Sequence, residues 1–189
     1  MKRSLLVAIL AAGVVQGVLG GCARPLPPEP AFHASLQQAY RLDAGDVIRV
    51  TVFEQDELTN TYSVDKAGFI AFPLVGAVAA RGRTTKQVEA AVAAKLSQGF
   101  IREPDVSAEI ATYRPFFILG EIGTGGQYTY TPGMTVQNAI AVAGGFTPRA
   151  NQRVIDITRS VNGKVLTGQV PVTDPILPGD TIRVRERLF

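Results

Sequence analysis

Leu42-Asp43-Ala44-Gly45-Asp46-Val47-Ile48-Arg49-Val50 returns near the other end of the chain as Leu177-Pro178-Gly179-Asp180-Thr181-Ile182-Arg183-Val184. In both copies a Gly-Asp pair precedes an alternating apolar run. Glycine reaches positive φ without steric cost and aspartate bonds to nearby backbone, so each copy predicts a turn that feeds a strand. After the first, Ile48, Val50 and Val52 share one face while Arg49, Thr51 and Phe53 share the other, the pattern of a half-buried strand over 47–53. The second copy leads into a last strand over 181–186. One turn opens a first unit and the other closes a second. Turn chemistry, not an acidic site, accounts for Gly45, Asp46, Gly179 and Asp180.

Outward from the first turn, short strands are expected over 61–64, 69–72 and 76–79. Asp65-Lys66-Ala67-Gly68 and Pro73 separate them. Thr84 and Gln87 form a capping box. Val88, Val92, Leu96 and Phe100 then recur every fourth residue with Ala91 in the same stripe, while Lys86, Glu89, Lys95 and Gln98 lie off it. This is an amphipathic helix packed on a sheet, loosened at its end by Gly99. Val106, Ala108 and Ile110 mark a further strand.

The pattern restarts around Tyr113-Arg114-Pro115. The continuous apolar run 116–119 suits a buried strand, and Gly123-Thr124-Gly125-Gly126 turns toward 128–130. Pro132-Gly133 opens a short helix capped by Thr135, with Val136, Ala139, Ile140 and Ala143 inward, and Gly144-Gly145 stops it. Strands over 154–158 and 164–169 are joined by Asn162-Gly163, a two-residue hairpin signal. The fold class expected is α+β: two small strand-rich domains, over 40–112 and 113–189.

Composition narrows the chemistry. Of 189 residues 46% are hydrophobic and 19% charged, which excludes disorder from polarity and requires a core. The single cysteine excludes a disulfide framework and any multi-cysteine metal site. His33, the one histidine, excludes His-rich metal centres, and its own segment offers no Asp or Cys partner, so it reads as a surface residue without a chemical role. The glycine-rich turn at 123–126 lacks the Gly-Lys-Ser/Thr tail of a phosphate loop. Glu54, Asp56 and Glu57 fall in one short loop and read as solvated, not as a glycosidase pair. No catalytic, cofactor-binding or metal-ligating set emerges.

The formal charge is +3. Lys2 and Arg3 open a positive start followed by an apolar stretch over 5–18, about 21 Å as a helix and short of the ~30 Å hydrocarbon core. Residues 1–21 therefore read as a secretory signal. Without it Lys+Arg falls from 19 to 17 against 16 Asp+Glu, too small an excess for a nucleic-acid footprint. Arg183, Arg185 and Arg187 alternate along a strand and read as a solvated face.

The segment Leu19-Gly20-Gly21-Cys22 resembles the bacterial lipoprotein processing box, which implies cleavage before Cys22 and acylation of that residue. More than one acyl chain makes such anchoring stable. Ala23 stands where an aspartate would signal inner-membrane retention, which by analogy sends the protein to the outer membrane, facing the periplasm. Residues 22–39 then form a tether, with four prolines between Arg24 and Pro30 holding it semi-extended.

Two sets of residues, each of three groups, carry a family resemblance. Tyr40-Arg41-Leu42 with Gly45-Asp46, then Asp65, Gly68, Ile70, Pro73 and Gly76, then the helix after Thr84-Thr85, resemble a polysaccharide export domain over 40–112. Gly120-Glu121-Ile122 with Gly126 and Tyr128, Thr135 with Ala139-Ile140 and Gly144-Gly145, and Pro178-Gly179-Asp180 resemble a soluble-ligand-binding β-grasp (SLBB) domain over 113–189. The chain is thus similar to the outer-membrane polysaccharide export lipoproteins, the Wza-like group. The resemblance implies a non-enzymatic, homo-oligomeric ring that conducts a capsular or exopolysaccharide chain. It also implies an inner-membrane co-polymerase as partner, often coupled to a tyrosine kinase.

Two departures stand out. Gly125 replaces a usual proline, which implies a looser loop. Larger members add domains and a carboxy-terminal pore-lining helix, whereas this sequence runs to Phe189, so a separate outer-membrane β-barrel is expected to supply the pore. The alternative that the second half alone allows is a lipid-anchored glycan- or small-ligand-binding module without a conduit.

Overall fold

The computed structural model describes residues 33–161 and 163–187. The signal segment, Cys22, the proline run of the tether and Asn162 lie outside the described residues. Ten strands and two helices are present among those residues, after a 3-10 turn at Ser35–Gln37. The fold is α+β.

The first half contributes β1 (Val47–Val52), β2 (Asn60–Ser63), β3 (Phe69–Phe72), β4 (Gly76–Ala79), α1 (Thr85–Leu96) and β5 (Val106–Thr112). A three-stranded antiparallel sheet runs β2-β1-β5 and a separate hairpin pairs β3 with β4. The alternation read from the sequence places Ile48, Val50 and Val52 inside and Phe53 outside. Thr84 and Gln87 make the reciprocal capping box that starts α1. Val88, Val92 and Leu96 close over the sheet, joined in one core by Ile70, Phe72, Val78 and Tyr62.

The helical stripe is shorter than expected. Gly99 turns to φ +103, Ile101 donates its N–H to the Leu96 carbonyl, and the chain leaves the helix before Phe100, which is 52% exposed. The C-terminal wrap favoured by a left-handed glycine overrides the four-residue spacing.

The second half holds β6 (Phe116–Gly120), β7 (Gly126–Tyr128), α2 (Val136–Val142), β8 (Ile155–Val161), β9 (Lys164–Val170) and β10 (Thr181–Val184). Its five-stranded sheet runs β7-β6-β10-β8-β9, with β6 and β10 parallel at the centre and the other pairs antiparallel. A second capping box, Thr135 with Asn138, starts α2, whose Val136, Ala139 and Ile140 cover one face of the sheet together with Ala143.

The other face is open. Consequently the run 116–119 is not buried throughout: Phe116 and Ile118 point into the core while Phe117 and Leu119 face outward. Continuous hydrophobicity signalled a strand but not which faces are covered. Several strand ends also shift, and β7 lies at Gly126–Tyr128 rather than over 128–130. β8 extends to Val161 rather than stopping at 158, and β10 ends at Val184, with Glu186 reduced to a single bridge with Ala150.

Candidate functional site

The two echoed turns meet at the junction between the halves. In each, a backbone N–H reaches back three residues, from Asp46 to Asp43 and from Asp180 to Leu177, both at 3.1 Å. Gly45 and Gly179 sit at φ +92 and +84. That is the third position of a type II turn, with Ala44 and Pro178 before it. Each aspartate side chain then accepts the N–H at the start of its own turn at 2.8 Å. Sequence reasoning assigned these carboxylates to turn chemistry; the structure adds an arginine to each, the half-buried Arg114 beside Asp46 and the buried Arg159 beside Asp180.

Asp46, fully buried, accepts from the Arg114 backbone N–H at 2.8 Å, the Arg114 guanidinium at 3.2 Å and the Tyr40 hydroxyl at 2.7 Å. The same Arg114 Nη1 also donates to the Tyr40 oxygen at 2.8 Å. Burial pushes the Tyr40 phenol well above its ordinary range, the nearby Asp46 carboxylate adds to that, and Arg114 opposes it. On the other side, Arg159 grips Asp180 through Nε at 2.9 Å and Nη2 at 2.7 Å, with both side chains buried. Burial nevertheless holds the Asp180 carboxyl above the usual carboxylate range, against the pull of Arg159.

Arg114 joins the two turns. A Cβ at Gly179 would lie 2.6 Å from Arg114 Nε, and one at Gly45 would lie 3.5 Å from Arg114 Cβ, so the side chain runs between two glycines. The neighbouring Pro115 carbonyl accepts the Gly179 N–H at 3.0 Å. Tyr40, Tyr113 and Tyr130 pack edge to face along the same seam, with ring centres 5.0 and 5.4 Å apart. Linker, turns and aromatic seam form one polar joint.

Two clefts open on this joint. One, of about 220 Å³, lies over Tyr40, Tyr113, Tyr130 and Arg159, with Leu36 and Gln38 of the incoming segment along its edge. The other, of about 510 Å³, is walled by Arg41, Arg81, Arg114, Asp43 and Ser160, with Gly82 and Gly163 at its rim. They share Arg41, Arg114 and Ser160.

The remaining glycines and Pro73 stand apart from the joint. Gly68 lets Arg81 pack, since a Cβ there would fall 2.6 Å from the Arg81 Cβ. Arg81 then reaches Asp43 at 2.8 Å. Pro73 and Gly76 bound the β3–β4 turn. Gly120 carries β6 past β10 so closely that a Cβ would lie 2.0 Å from the Val184 carbonyl. Gly144 and Gly145 end α2 at positive φ. Gly126 is the first residue of β7 and has no positive φ; the close approach belongs to Gly123, whose added Cβ would meet the Gly144 carbonyl at 2.7 Å. The Gly125 loop is held by Thr124 N–H on the Ala143 carbonyl at 2.7 Å and the Tyr128 hydroxyl on the Thr124 carbonyl at 2.7 Å.

His33 contacts a residue that its own segment concealed: Nε2 lies 3.2 Å from Asp174 Oδ2, far along the chain. Among the described residues no group of three or more His, Cys, Asp or Glu could hold a metal, and no helix is long and apolar enough to cross a membrane. Arg114 and Arg159 carried no sequence signal of their own. Only the pairing of each Gly-Asp turn with an unassigned arginine would have pointed to them.

The profile of polysaccharide biosynthesis/export proteins matches residues 34–111, and that of the SLBB domain matches residues 115–168. The interval between the matches contains Tyr113 and Arg114. Exopolysaccharide production protein ExoF of Rhizobium meliloti (strain 1021) is 35% identical over 129 residues, which cover 61% of this chain and 31% of that protein. The chain therefore spans about a third of that relative's length. A match to polysaccharide biosynthesis/export proteins and a match to the SLBB domain thus follow one another along the chain, and residues on both sides of the interval between them build the joint.

Proposed function

We propose that this protein is a lipid-anchored subunit of a ring-shaped conduit, held at the periplasmic face of the outer membrane, through which a capsular or exopolysaccharide chain leaves the cell. The observation that carries the reading is the succession of an export domain and an SLBB domain on one chain. The Arg114 joint supports it, because closed cyclic symmetry requires every copy to present its interfaces at the same angle. The role is passage and not catalysis. Cys22 carries the anchor, residues 22–39 space the folded part from the bilayer, and the domains divide at the junction near 112–113. An inner-membrane co-polymerase or tyrosine kinase delivers the polymer, and a separate outer-membrane β-barrel completes the route.

Deletion of the gene, followed by assay of surface polysaccharide, tests the function. Loss of surface polymer with material trapped in the periplasm is expected, and a normal coat refutes the reading. Size in detergent extracts tests the ring: a large cyclic oligomer is expected, whereas a monomer that binds a saccharide tightly identifies a ligand-binding module. Cys22→Ser should abolish acyl labelling and release the protein from the membrane fraction. Co-purification without any outer-membrane barrel counts against the separate pore.

A further inference from the structure

We propose that the larger cleft at the domain joint binds an acidic glycan segment, taking its carboxylates on Arg41 and Arg81. This rests on the export reading above and adds the chemical class of the polymer to it. The cleft holds about 510 Å³, within the range of small-ligand sites.

Its guanidiniums are held by part of their forks and open at the rest. Arg41 is fixed by Nη1 on the Gly82 carbonyl at 2.7 Å, and its Nε and Nη2 meet no acceptor among the described residues. Arg81 is fixed by Nε on Asp43 at 2.8 Å and Nη2 on the Lys66 carbonyl at 2.8 Å, which leaves Nη1 open among those residues. Arg114 spends its charge on Asp46, and Arg81 on Asp43. Arg41 meets only a carbonyl, so the wall keeps a net positive charge.

An anchored guanidinium with spare N–H groups is ready to take a carboxylate with little further ordering. The rim is low, since a Cβ at Gly82 or Gly163 would meet nothing within 4 Å, and a pyranose ring has room to approach. Ser160 adds an exposed hydroxyl. Contacts to exposed arginines are weak and screened by salt, which suits a chain that has to move on.

The test uses the full acylated chain in detergent, titrated by calorimetry with a hexameric oligouronate, a neutral maltohexaose of the same length, and inorganic phosphate. Expected are binding of the oligouronate about tenfold tighter than of the neutral sugar, weakening as salt rises, and about tenfold loss in Arg41→Gln/Arg81→Gln. Arg81→Gln removes the Asp43 contact and risks the fold, so two further variants stand beside it. Arg41→Gln breaks no ion pair, and Ser160→Trp fills the cleft without changing charge; both should weaken binding. Equal affinity for the neutral sugar, binding indifferent to Arg41→Gln and Ser160→Trp, or phosphate binding that oligouronate fails to displace overturns the proposal. Export is read separately. Loss of surface polymer on deletion, with no oligouronate preference in vitro, overturns the acidic cleft and leaves the export reading standing. A normal coat on deletion, with oligouronate bound as expected, does the reverse.

Discussion

Arg159→Met is the most informative single change in the second domain. Arg159 and Asp180 are 2% and 1% exposed and share two short contacts, at 2.9 and 2.7 Å. Methionine keeps much of the apolar stem and removes the charged head. Two hydrogen bonds to a charged group, at about 1.5–3 kcal/mol each, and the buried carboxylate left behind put the loss at about 3–5 kcal/mol at neutral pH. Against a total of about 5–15 kcal/mol for a domain, that leaves the fold near its limit. The loss depends on pH. Burial already holds the Asp180 carboxyl above its usual range, and Arg159 is the main force opposing it, so the substitution raises it further. A raised folded-state pKa means that the folded form holds the proton more tightly. Its contribution is fully present below the unfolded value of about 4 and is lost as pH rises through the folded value. The deficit of Arg159→Met should therefore be largest at neutral pH and shrink on acidification. Adding Asp180→Asn removes the stranded charge while keeping an oxygen for the Leu177 N–H, and should recover most of the loss. Urea unfolding followed by circular dichroism, with the two cores fitted as separate transitions, reads all three proteins. A single variant within about 1 kcal/mol of wild type, or a double variant no more stable than the single, refutes the reasoning.

Gly120→Ala should cost about 3 kcal/mol or more by thermal melting, because φ is +101 and the new methyl would overlap the Val184 carbonyl that β6 has to pass. Leu96→Ala should cost about 2–5 kcal/mol whereas Phe100→Ala should stay within about 0.5 kcal/mol, and equal losses would place the helix stripe where the sequence spacing put it. Burial raises the Tyr40, Tyr62 and Tyr130 phenols. Their contribution is intact below the unfolded phenol value of about 10 and is lost as pH rises, so ultraviolet titration should show them ionising together with alkaline unfolding and not before it. Gly179→Ala should cost about 1–2 kcal/mol and displace Arg114 from Asp46, visible as altered Tyr40 and Arg114 resonances, whereas unchanged resonances would remove Arg114 from the joint.

Local patterns carried most of the architecture. Alternation at 48–52, the Thr84–Gln87 cap and the Gly144-Gly145 stop each reflect chemistry within a few residues of one another, and the structure keeps them. The expectations that shifted depend on distant partners. Whether Phe117 and Leu119 are covered is decided by what packs on the far face of the sheet, and nothing within 116–119 encodes that. The joint was half legible. The repeated Leu, Gly, Asp, Ile, Arg and Val marked both turns, but not that they would converge or that Arg114 would lie between them. Arg159, in a strand expected only over 154–158, gave no sign of burial until its partner Asp180 was seen beside it. His33 met Asp174 for the same reason, through a contact that no local window contains.

The joint is built from ionic and aromatic groups where an apolar contact would serve stability as well or better. Buried ion pairs recover in attraction roughly what they lose in hydration, and replacing them with apolar residues is often neutral or stabilising. What a directional joint supplies is angle. Arg114 meets Asp46, Tyr40 and the Gly179 turn together in only one orientation of the two domains, whereas an apolar seam would tolerate sliding. Any assembly that repeats one subunit around an axis multiplies an error in that angle by the number of copies. The same geometry keeps Arg41 and Arg81 at a fixed distance from the second domain's Ser160, so the width of the cleft follows from the joint. Orientation of the domains and shape of the binding surface are therefore one property, set by a single arginine between two glycines.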